Sequence, residues 1–206
     1  GRPGGGPLNG ANPATPRRGA VRALASSTYV PTLLAELGLG AMVPLFALSV
    51  LAMDYSAAVA ATAAVVYGAG HLAGSAWGGW LSTRLGPVRA AMVGLAVLGA
   101  GAAAGALATV LAPFLAGVGL IGLGHGAYHV ARQGQIAGIV RHAFRARALT
   151  TLAGTWRIAN FAGPVIGALA IQVGGLSAAY VFALSTVVAA MVALRLSGGW
   201  RRRPPR

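Results

Sequence analysis

Apolar stretches of membrane-spanning length follow one another along the chain, separated by short clusters of Gly, Pro or charged residues. A helix rises 1.5 Å per residue, so about 20 apolar residues cross a bilayer core of about 30 Å. Six stretches meet that requirement: 28–52, 57–79, 88–109, 112–139, 148–171 and 175–196. The fourth is long enough to tilt or to project past the core. Two boundaries are short: "VLA" parts the third stretch from the fourth, with Pro113 as the start signal, and "GGLS" parts the fifth from the sixth. The pattern predicts an all-α fold, a polytopic bundle of six transmembrane helices.

Composition supports the pattern. Of 206 residues, 56% are apolar and 9% charged, against about 25% charged in a soluble domain. With no cysteine, disulfide and thiolate chemistry are excluded. The net charge of +14 does not indicate nucleic-acid binding, which needs a basic face on a folded soluble domain; here the arginines lie between apolar runs. No signal peptide is visible. Residues 1–27 are rich in Gly, Pro and Arg, too poor in apolar surface to order themselves, and are expected to form a disordered cytoplasmic tail. Residues 28–196 form the bundle, and residues 197–206 a basic cytoplasmic tail or the start of a linker.

The arginines set the orientation. Fourteen of sixteen fall in the N-terminal tail, the connections between spans two and three and between four and five, and the C-terminal tail. The opposite connections carry none, and one holds Asp54. Excess Lys/Arg marks the cytoplasmic side, so both termini are expected there. Abundant Ala, Gly and Arg with no Lys point to a GC-rich bacterium and so to an inner (plasma) membrane. Glycines four apart, Gly70, Gly74 and Gly78 in span two, Gly101 and Gly105 in span three, Gly122 and Gly126 in span four, predict close backbone packing.

Three ionisable residues interrupt apolar surroundings. Counting from the cytoplasmic ends, Glu36 lies roughly 12 Å deep, Arg132 roughly 13–14 Å and Arg157 roughly 15 Å. A charge facing lipid there costs at least about 2.5–3.5 kcal/mol, so all three are expected to face the bundle interior or a water-filled cavity, with Glu36 paired to an arginine. The cation left over favours an anionic or zwitterionic solute. His125, His129 and Arg132 share one face of span four, flanked by Tyr128 and Gln135; Arg157, Asn160 and Pro164 share one face of span five; His71 lies at similar depth in span two. A histidine beside Glu36 titrates near physiological pH and would relay a proton. The alternatives stay open: arginines that only tie helices together, and histidines that only line a polar cavity. Nothing nearby supports metal binding by the His125–His129 pair, and no cofactor is implied.

Two segments carry a family resemblance. "GGWLSTRLGPVR" (78–89) resembles the major facilitator superfamily motif Gly-x-Leu-x-Asp-Arg-x-Gly-basic-basic, through Gly79, Leu81, Arg84, Gly86 and Arg89. "ANFAGPVIGA" (159–168) resembles the family's helix-five pattern through Gly163, Pro164 and Gly167. The lead-in "RARALTTLAG" and the first-span "GLGAMVP" also fit. The resemblance implies one six-helix half of a twelve-helix transporter, the N-terminal one, built from 3+3 inverted repeats and working by alternating access, with gating roles for Gly79, Arg84, Gly86, Arg89, Gly163 and Pro164. The first residue, glycine, and the Arg-rich end fit a fragment; a six-helix protein acting with a second copy is the alternative. Thr83 replaces the motif aspartate, so a charge lock across the halves is not expected. The stretch "GVGLIG" in span four lacks the arginine of many drug/proton antiporters. The expected function is proton-coupled secondary transport of a small solute, not enzymatic. A channel, scaffold or intramembrane enzyme is the other class; the Gly-x-Ser-Gly nucleophile motif of a rhomboid-like protease is missing, with Ala73 two before Ser75.

Overall fold

Glycine and proline place the helix ends. The computed structural model describes residues 28–140 and 142–197; the expected tails, 1–27 and 197–206, lie outside them except for Ser197. Helix α1 (Val30–Ala52) starts on Pro31 and carries Pro44 within it. Helix α2 (Ala57–Leu85) is capped by Ser56, whose hydroxyl accepts from the Val59 amide at 3.4 Å. Gly86 closes α2 and opens α3 (Pro87–Leu107). Helix α4 spans Leu111–Ile139 and α5 spans His142–Leu196. No strand occurs among the described residues.

The spans differ from the sequence pattern at their edges. Helix α2 runs on to Leu85 and ends at Gly86, whose φ of 82° turns the chain. Helix α4 begins before Pro113, which sits in its first turn, where a missing N–H costs nothing. Helix α5 begins at His142, in the polar lead-in, where Arg145 Nε donates to the Val140 carbonyl at 3.0 Å.

A continuous α5 of 55 residues would extend roughly 80 Å, over twice the apolar core. It is broken instead at Gly174 and Gly175, whose φ/ψ leave the helical region. Both arms pack on α1. Gly163 of the first arm lies against the Gly40 backbone, while Ala183 and Thr186 of the second lie against Gly38. Ser49 and Tyr180 share a hydrogen bond of 3.0 Å near the break. The arms are therefore a hairpin, and the six expected spans are present as four helices and two arms.

The packing interlocks two triplets. Helix α4 packs along α2 and α3, and α1 along both arms of α5. Glycine makes the crossings close: a Cβ on Gly122 would meet the Tyr67 carbonyl at 2.3 Å, and one on Gly101 the Gly117 carbonyl at 2.6 Å. Helix α4 thus offers one glycine face to α2 and another to α3. This exchange, first span with fifth and sixth, fourth with second and third, is the arrangement expected of an inverted 3+3 repeat.

Candidate functional site

The interior polar residues gather where α1 faces α4. The two helices run antiparallel, so α4 places His125, Tyr128, Arg132 and Gln135 along the stripe Glu36, Thr32, Thr28. Glu36 is 1% exposed, His125 4% and Arg132 1%. His125 Nε2 lies 3.1 Å from Glu36 Oε1, and its Nδ1 lies 2.7 Å from the Tyr67 hydroxyl of α2. With the tyrosine donating to Nδ1, Nε2 carries the proton and donates to the carboxylate. A second proton on the imidazole would reverse only the tyrosine bond. His71 stands 4.8 Å from His125, ring to ring, His129 stands 6.0 Å from it, and His71 and His129 are 6.2 Å apart, so the three imidazoles form a triangle.

Arg132 forms a separate cluster nearer the start of α1. Its guanidinium donates to the Thr28 carbonyl at 2.7 Å, to Thr32 Oγ1 at 3.4 Å and to Gln135 Oε1. It lies 5.7 Å over the Tyr128 ring, a cation–π contact. The Tyr128 hydroxyl donates to Thr32 Oγ1 at 3.4 Å, and Thr32 donates to the Thr28 carbonyl at 2.8 Å.

A cleft of about 220 Å³ joins the two clusters. Glu36, Thr32, Tyr128, His129 and Arg132 line one side; Leu149, Leu152, Ala153 and Trp156 of the first α5 arm line the other. Its rings touch across the gap, His129 to Trp156 at 4.6 Å between centroids. Two buried polar atoms of the lining residues have no hydrogen-bond partner among the described residues: Glu36 Oε2 and Trp156 Nε1.

Two sequence expectations are corrected here. The ion-pair partner of Glu36 is His125, not an arginine. Arg132 bonds four and eight residues before Glu36 along α1, roughly 6 and 12 Å away axially. Its long side chain reaches toward the helix end, as arginines in membranes do. Arg157 is not sheltered among the six helices but exposed. Leu149, Leu152, Ala153 and Trp156 repeat at 0, 3, 4 and 7 and face the cleft; Arg157 follows Trp156 by one residue, a 100° turn of the helix. Asn160 is exposed and outside the cleft lining as well.

Tyr67 and Trp156 were not singled out from the sequence. Tyr67 precedes His71 by four residues, one turn along the same face, which was the available signal.

The segments that carried the resemblance are placed as follows. Arg84 lies 5.8 Å over the Trp80 ring at the end of α2. Thr83 Oγ1 donates to the Trp80 carbonyl at 2.7 Å, so its hydroxyl serves its own helix. Gly79 has open space at its Cβ position, and Arg89 is exposed in the first turn of α3. Gly163 backs onto Gly40, next to Pro164 within α5.

Residues 21–206 match the sequence profile of the Major Facilitator Superfamily. The chain belongs to this superfamily. No curated relative matches it. As a major facilitator it is a multi-pass membrane protein whose general activity is carriage of small solutes across the membrane. Gly86 shows how firmly the fold holds the facilitator's α2–α3 turn: its φ of 82° and ψ of 157° lie in a region open essentially to glycine. Gly86→Ala is expected to cost about 1–3 kcal/mol, read as a lowered midpoint of thermal unfolding in detergent, although no atom stands within 4 Å of the new Cβ.

Proposed function

We propose that this facilitator is a proton-coupled secondary transporter of a small solute, with Glu36 and His125 as the coupling pair. The single observation that carries the reading is the Tyr67–His125–Glu36 chain, whose His125–Glu36 end is buried and whose Glu36 borders the cleft. A carboxylate with one histidine partner holds or releases one proton with no movement of helices, and a charge buried in a membrane span marks ion pathways by default. His71 and His129 cluster beside His125 and extend the path.

The six-helix body is proposed to rock against a second one, as the N-terminal half of a longer chain or beside a second copy, so that the cleft opens to each side in turn. Arg157, Asn160 and Gln133 support this, because their side chains are exposed at mid-membrane positions beside the cleft, where lipid contact is costly. Leu169 and Phe161 continue past them onto an exposed apolar face suited to lipid. The membrane is proposed to be the inner (plasma) membrane with both termini cytoplasmic, from the arginine distribution. Accumulation of solute in proteoliposomes under an imposed pH gradient, abolished by a protonophore, tests the reading; uptake indifferent to the gradient would reject it.

A further inference from the structure

The proton reading leaves part of the cleft unused, and that part describes a ligand. Glu36 Oε1 is occupied by His125, but Oε2, on a side chain 1% exposed that borders the cleft, is buried and has no partner among the described residues. A buried carboxylate oxygen with no donor costs more than almost any other polar atom, and the described residues offer it none. Across the cleft, the Trp156 indole N–H is a buried donor, also without a partner. Arg132 adds a fixed positive charge in the same wall. Between these poles stand Leu149, Leu152 and the Trp156 ring. The volume, about 220 Å³, falls below the roughly 300–1,000 Å³ of pockets for drug-sized ligands.

We infer that the cleft binds a small zwitterion with an apolar side group, its ammonium on Glu36 Oε2 and its carboxylate toward Trp156 Nε1 and Arg132. This deepens the proposed transport function and rests on it for biological meaning, but the chemistry is carried by the unmatched atoms. A purely anionic solute would answer Trp156 and Arg132 and leave Oε2 without a donor. A purely cationic amine would answer Oε2 and leave its own charge beside Arg132. Only a ligand with both ends matches both poles, and its side group covers the leucine wall.

The test is equilibrium binding to the full chain in detergent, with no gradient, using three probes of one carbon skeleton: leucine, 3-methylbutylamine and 4-methylpentanoate. Leucine is expected to bind at least about tenfold tighter than either single-charge analogue. Glu36→Gln removes most of that advantage over 4-methylpentanoate. Trp156→Phe keeps the ring and lowers leucine and 4-methylpentanoate binding by about two- to tenfold, leaving 3-methylbutylamine unaffected. Tightest binding by either analogue, an unchanged ranking in Glu36→Gln, or no binding of any probe would overturn the inference. Gradient-driven uptake without this ranking would leave proton coupling standing and remove the zwitterion; the ranking without gradient-driven uptake would do the reverse.

Discussion

Vesicles carrying Glu36→Gln are expected to lose solute accumulation under a pH gradient altogether. One pH unit is worth 1.36 kcal/mol per proton, which sustains about tenfold accumulation for each proton coupled; the variant should equilibrate at onefold. The substitution isolates the proton from the packing. Glutamine has the size of glutamate, and its carbonyl still accepts from His125 Nε2, so the Tyr67–His125 contact at 2.7 Å has no reason to move. What disappears is the only carboxylate buried in a described helix, since the chain has two acidic residues and Asp54 is exposed at the end of α1. Radiolabelled leucine uptake, read as the ratio with and without an imposed gradient at a leucine concentration that saturates the variant, measures the effect apart from the weaker leucine binding that Glu36→Gln also brings.

Gly126→Val is expected to prevent the protein from reaching its native packing. A Cβ at Gly126 would meet the His71 carbonyl oxygen at 2.1 Å, the Ser75 nitrogen at 2.7 Å and the Gly74 carbonyl carbon at 3.0 Å. All three are backbone atoms, so no rotamer change relieves the clash, and α2 must leave α4. Overpacking that side chains can absorb costs about 1–3 kcal/mol; here the whole crossing is lost, and with it the contact between His71 and His125. The crossing depends on backbone approach, because lipid tails offer no hydrophobic advantage to helix association. Size-exclusion profiles in detergent should show aggregate in place of a single species. Gly79→Val is the control: nothing lies within 4 Å of its Cβ, and it should elute as the wild type does.

The sequence made the helices legible because membrane length and apolar content are read directly from the chain, and the arginine clusters separate the spans. The crossings were legible too. Gly70, Gly74 and Gly78 meet Gly119, Leu123 and Ala127 of α4, as their spacing anticipated. Two things were hidden. One is axial register: depths counted from the cytoplasmic ends of the spans put Glu36 and Arg132 level, yet the partners of Arg132 include Thr28 and Thr32, because a long side chain acts far from its own Cα. The other is rotational phase. One residue separates Trp156, which lines the cleft, from Arg157, which is exposed, and periodicity fixes a face only when a packed neighbour defines its zero. Tyr67 escaped notice for a related reason: a tyrosine in an apolar span has no charge to mark it, and only its contact with His125 gives it a part.

The scarcity of acids makes the central claim open to direct measurement. Difference infrared spectra of the full chain in lipid, between high and low pH, report carboxyl groups that take up a proton, and two side chains can contribute. The account predicts a protonated-carboxyl band that survives Asp54→Asn, vanishes in Glu36→Gln and moves in His125→Asn. A spectrum in which the band follows Asp54 alone, or is unchanged by Glu36→Gln, would contradict it.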